Sequence, residues 1–92
     1  MPEDLKKIPE ILDQIARKLG EADKEALKPY MAQMKDAVEN MKKSGQSNLK
    51  DNLRKFLTLS EKIKDVKIGD LPGITPSLNM IQSIIKDKIN KL

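Results

Sequence analysis

The stretch LKKIPEILDQIARKL, residues 5–19, sets the architecture. Leu5, Ile8, Leu12, Ile15 and Leu19 recur at 3-4-3-4 spacing, and Ile11 and Ala16 widen the stripe. At 100° per residue these seven side chains fall within about 140° of arc, so the segment reads as an amphipathic helix with one face to bury. Glu3–Lys7 and Asp13–Arg17 are i,i+4 pairs in the favourable order. Pro9 lacks an amide donor and predicts a kink, or a helix that begins near Ile8. Gly20 is the expected stop.

Three further stretches carry the same periodicity. From about Asp23 to Lys43, Leu27, Met31, Met34, Val38 and Met41 form a stripe flanked by Tyr30 and Ala37. Asp23 is the expected N-cap, and Pro29 is expected to divide a short turn from the main helix. Ser44-Gly45-Gln46-Ser47 reads as a loop. From Asn48 to Val66, with Ser47 as N-cap, the apolar positions Leu49, Leu53, Phe56, Leu57, Leu59, Ile63 and Val66 cover about half the wheel. Ile68 to Ile74 reads as a connector, with Pro72-Gly73 at the centre of a type II turn. The last helix is expected to start with Thr75 as N-cap and Pro76 at its first position, burying Leu78, Ile81, Ile84, Ile85, Ile89 and Leu92. Lys86, Lys88 and Lys91 then complement its C-terminal dipole.

Amphipathic helices joined by short links predict an all-α fold: a compact antiparallel bundle of four helices in a single domain, residues 1–92. A three-helix core with the N-terminal helix packed across it is the alternative. A core of this size is marginal without staples, with net stability on the order of 5–10 kcal/mol. Exposed apolar surface is therefore available to dimerise or to dock.

Composition excludes several chemistries. The 92 residues contain no histidine and no cysteine. Imidazole bases, Ser-His triads, thiol nucleophiles and His- or Cys-containing metal sites are absent. Nearly all acids fall on polar arcs, so neither a metal nor a cofactor is expected. Glycines at 20, 45, 69 and 73 form no phosphate-cradling loop. Ser83 with Lys86 or Lys88 would form a dyad on a solvated face, where lysine is a poor base. The expectation is a chain that is not an enzyme. The longest uncharged run, Leu71 to Ile85, spans fifteen residues and includes two prolines, too short and too polar to span a bilayer. No secretory leader is visible, and the cytoplasm is the expected compartment.

Two surfaces stand out as partner sites. Charged residues are 35% of the chain, yet none lies between Leu71 and Ile85. Interface cores are depleted in charge and enriched in Met, which marks Leu71, Ile74, Asn79, Met80 and Ser83 as a protein-docking or self-association face. The competing reading is that this helix is the most buried one, with Leu71 and Ile74 plugging the end of the bundle. The second surface is basic. The net charge is +4, and the first 43 residues balance at nine of each sign, so the excess lies in the second half. Lys42, Lys43, Lys50, Arg54 and Lys55 are the expected phosphate contacts if nucleic acid is bound, without sequence preference. Glu61 and Asp65 fall on the same arc as Lys50, Arg54 and Lys64, which predicts a salt-bridged face rather than a clean basic stripe. Tyr30 and Phe56 lie on apolar faces, unsuited to stacking on bases. Met31, Met34 and Met41 read as core. The leading expectation is a non-catalytic interaction module acting as an accessory subunit or adaptor, with sequence-independent nucleic-acid binding as the alternative.

Overall fold

A computed structural model describes residues 3–44 and 48–92. The described chain forms four helices and no strand: α1 (Glu3–Lys18), α2 (Glu21–Ser44), α3 (Leu49–Lys64) and α4 (Leu71–Lys91). Each helix packs on its neighbours in the order α1–α2–α3–α4, and α1 closes the ring against α4. This is the four-helix bundle expected from the stripes. The alternative, α1 lying across a three-helix core, is not the arrangement found.

The core is the set of predicted stripes brought together. Leu5, Ile8, Leu12, Ile15, Leu27, Met34, Leu53, Phe56, Ile63, Ile74, Leu78 and Ile81 are all fully buried. Met34 and Met41 lie in the core, while Met31 and Tyr30 pack half-buried at its edge.

Several boundaries differ from the local signals. α1 runs through Pro9 without interruption, and α2 runs through Pro29. Pro9 is half-buried and Pro29 exposed. Packing of the stripe on either side outweighs one missing backbone bond. α2 extends through Ser44, which the expected loop included; Gly45 to Ser47 lie outside the described residues, as does the expected Ser47 cap. Asn48 takes the N-cap position of α3, and its carbonyl accepts both the Asn52 amide (3.1 Å) and the Asn52 Nδ2 (3.0 Å).

The largest correction concerns α4. It begins at Leu71, not at Pro76, so Pro72-Gly73 is its first turn rather than a type II turn. Pro72 sits where a missing amide costs least. Thr75 is an interior residue whose Oγ1 donates to the Leu71 carbonyl at 2.8 Å. Starting one turn early puts Ile74 in phase with Leu78, Ile81 and Ile85, and all four are fully buried. Burial of one more isoleucine decides against the local cap signal.

Asp23 is likewise not the N-cap of α2. The Lys24 amide bonds to the Gly20 carbonyl (2.9 Å), so Gly20 holds that position and Asp23 lies in the first turn. Glycine has no side chain to cap with, and the cap comes from the other end of the sequence: the Gly20 amide donates to Asp70 Oδ2 at 2.7 Å. In return the amide of Asp70, the residue before α4, donates to Asp23 Oδ2 at 2.9 Å. In a capping box the acid in the first turn reaches back to its own helix's cap amide. Here the first-turn acid of α2 serves the cap amide of α4, and the cap residue of α4 serves the cap amide of α2.

Candidate interaction surfaces

The exposed arc of α4 is built by its helical phase. With Ile74, Leu78, Ile81 and Ile85 turned inward, Pro72, Gly73, Pro76, Asn79, Met80 and Ser83 turn outward, and all six are exposed. Met80 is 56% exposed, and it and Leu92 are the large apolar side chains most open to solvent among the described residues. The five residues singled out from sequence are therefore split. Ile74 is fully buried and Leu71 is half-buried against the core, so both serve the bundle. Asn79, Met80 and Ser83 stay on the surface. Asn79 Oδ1 accepts a hydrogen bond from Lys64 Nζ, which leaves Met80 and Ser83, with the two prolines before them, as the open part of that face.

Lys42, Lys43, Lys50, Arg54 and Lys55 are all exposed but do not share one surface. Lys42 lines a groove beside Pro9 and Glu10 of α1 and contacts Glu39 at 3.7 Å. Lys43 lies on the other side of α2, beside Asn48, Asp51 and Asn52 at the start of α3. Lys50, Arg54 and Lys55 lie on the outward side of α3. The salt-bridged face expected from Lys50, Arg54 and Lys64 with Glu61 and Asp65 does not form among the described residues; Lys64 bonds instead to Asn79 and Gln82, and Lys55 makes no ion pair there either.

Two polar arrangements were not read from the sequence. The first is a seam between α3 and α4. Gln82 Nε2 donates to Ser60 Oγ (3.0 Å), Ser60 Oγ donates to the Leu57 carbonyl (2.7 Å), and Lys64 Nζ donates to Gln82 Oε1 (2.8 Å). Ser60 is fully buried and Gln82 is 8% exposed. A signal was present: Leu49, Leu53, Phe56, Ser60 and Ile63 run 4-3-4-3, which puts the serine on the core stripe. No buried side-chain polar atom among the described residues lacks a partner.

The second is the exchanged cap. Asp23 and Asp70 sit between the N-termini of α2 and α4, where dipoles favour anions. The Gly20 amide bond, and after it the contact with Asp23, hold the Asp70 carboxyl below its ordinary value of 3.8, against a small opposing effect of desolvation. No counterpart signal exists in local sequence, because the partners are separated by about fifty residues.

A groove follows the α1–α2 seam. One stretch, about 370 Å³, lies between Ala16 of α1, with Leu19 just beyond its end, and Lys28, Met31 and Ala32 of α2. A second, also about 370 Å³, continues past Leu12 and Asp13 of α1 and Lys35 and Val38 of α2. The small side chains Ala16 and Ala32 leave the seam open. Among the described residues no group of three or more acids could hold a metal. Among the described residues no helix is long and apolar enough to cross a membrane. No protein-family model, curated protein or solved structure matches the chain.

Proposed function

We propose that the chain is a non-catalytic helical interaction module, an accessory subunit or adaptor, that docks on a protein partner through the N-terminal half of α4. The observation that carries this is the exposed, uncharged strip of Pro72, Pro76, Met80 and Ser83 on a chain that is 35% charged. A densely charged small protein ordinarily keeps such a strip covered or charged. Met80 supplies an adaptable apolar anchor, and the prolines flank it without rotamers to immobilise. A cytoplasmic setting is part of this reading. Pull-down from the native source with wild type and with Met80→Lys/Ser83→Lys tests it. The variant should keep its helical circular dichroism and lose the captured protein; equal capture by both removes α4 as the docking face.

A second reading is sequence-independent nucleic-acid binding. It is favoured by the exposure of Lys50, Arg54 and Lys55 on the outward side of α3, where none of them makes an ion pair among the described residues. It predicts retardation of duplex or single strands at low salt that fades steeply as salt rises. Loss on reversing those three charges supports it, and no retardation at about 20 mM salt ends it.

A further inference from the structure

The positive charge of the molecule is gathered at one end. Gln82 bonds to Ser60 and Lys64 to Asn79, so α3 and α4 run antiparallel and the C-terminus of α4 lies beside the N-terminus of α3. The C-terminus of α2 is there too, since Asn40 and Lys43 lie beside Asn48, Asp51 and Asn52. Residues 39–44, 48–55 and 86–92 are the parts of α2, α3 and α4 at this end, and they hold eight cations against three acids, Glu39, Asp51 and Asp87. That excess of five exceeds the net +4 of the whole chain, so the remainder is slightly acidic. α1 adds one residue of each sign beside Lys42, Lys6 and Glu10. Two of the acids each hold a cation, Glu39 with Lys42 at 3.7 Å and Asp87 with Lys91 at 3.0 Å. Helix dipoles account for Lys42, Lys43, Lys88 and Lys91, in the last turns of α2 and α4. They do not account for Lys50, Arg54 and Lys55, which crowd the first two turns of α3, where the dipole favours anions.

We propose that this end of the bundle docks on an anionic phospholipid surface, with the helices standing on the membrane rather than lying along it. The cations lie on different sides of the bundle but all within about 9 Å, along their helices, of the termini at this end. A flat charged surface meets the cations of three helices at once. A rod of nucleic acid laid along one side meets those of one helix or two. A second feature of the same end favours lipid. Leu92 is 51% exposed, and the register that sets Gln82 against Ser60 brings it level with Lys50. At a bilayer surface such a leucine enters the boundary between headgroups and acyl chains, while lysines keep their ammonium groups at the phosphates. No aromatic side chain is offered to bases here, because Phe56 of α3 is fully buried. End-on docking leaves Pro72 and Pro76 at the far end of α4, and Met80 on its side, open to solvent. The proposal goes beyond the docking role of α4 and does not depend on it.

Co-sedimentation with vesicles of phosphatidylcholine, alone or with about 30% phosphatidylserine, tests it at ~100 mM salt. Wild type should bind the acidic vesicles and not the neutral ones. Lys43→Glu on α2, Arg54→Glu on α3 and Lys86→Glu on α4 should each weaken binding by about 5-fold or more. Lys62→Glu makes the same change in net charge but lies about 18 Å from Lys50 along α3, beyond the ~10 Å screening length, and should stay within about 2-fold of wild type. Leu92→Ser should weaken binding by about 3-fold or more with the salt dependence unchanged. All five substitutions are at exposed positions, and each variant should keep its helical circular dichroism. Absence of binding to acidic vesicles at about 20 mM salt overturns the proposal. So does an equal loss from Lys62→Glu and the three end variants, which leaves net charge as the cause, or a loss confined to Arg54→Glu, which leaves only the side of α3. Unchanged binding by Leu92→Ser, or tighter retention on duplex DNA than on acidic vesicles, reassigns the end to nucleic acid.

Discussion

The Asp23 carboxylate accepts the backbone amide of Asp70 at 2.9 Å, across 47 residues of chain. Asp70 returns the interaction by accepting the Gly20 amide, so the α1–α2 and α3–α4 connections are tied together through the N-terminus of each following helix.

Removing either acid should therefore weaken two helices. Asp23→Ala is expected to lower stability by about 0.5–2 kcal/mol, the range for a lost cap. Asp70→Ala lowers it as well, and the double variant should lose less than the sum, because the two residues share one arrangement. Urea denaturation of the four proteins reads this coupling.

The same site sets a pH dependence. Asp70 is held below its ordinary 3.8 in the folded chain. Its contribution is fully present above that value and is lost as pH falls through the lower folded value. The stability difference between wild type and Asp70→Asn should be constant from pH 5 to 7 and shrink below about 3.8. Unfolding midpoints measured from pH 2 to 7 would contradict this if the difference stayed constant to pH 2.

Along α4 the contrast between core and surface should be steep. Ile74→Ala is expected to cost about 2–5 kcal/mol, because the residue is fully buried. Met80→Ala should change stability by no more than about 0.5 kcal/mol. Thermal melts of the pair distinguish a structural from a docking role for residues that sequence grouped together.

The α3–α4 seam predicts an asymmetry. Gln82→Ala leaves Lys64 and Ser60 short of a partner and should cost about 1–3 kcal/mol. Ser60→Ala/Gln82→Leu removes the buried donor and acceptor together and should be near neutral. Chemical denaturation gives the energies, and proton–nitrogen NMR spectra show whether the apolar seam still holds one helix register.

The bundle itself was legible because each helix carries its own stripe, and burial of Leu5 to Leu19 or Leu49 to Ile63 depends only on spacing. Cap positions were less so. Gly20 and Thr75 show why: one helix start borrows its cap from a distant residue, and the other is overridden by the burial of Ile74. The proposed α4 face was half legible, since absence of charge marks Met80 and the core residue Ile74 alike. The α1–α2 groove was invisible, because an alanine on a stripe reads the same whether the neighbouring helix closes over it or stands off.

The ring of helices has a consequence for the timing of folding. α1 packs more extensively on α4 than on α2, its neighbour in sequence. During synthesis the N-terminal helix therefore emerges long before the helix that holds it most firmly. At about 5–20 residues per second the interval over roughly seventy residues is about 4–14 s. For that time α1 lacks the neighbour it packs on most, and α4 is the helix that closes the ring.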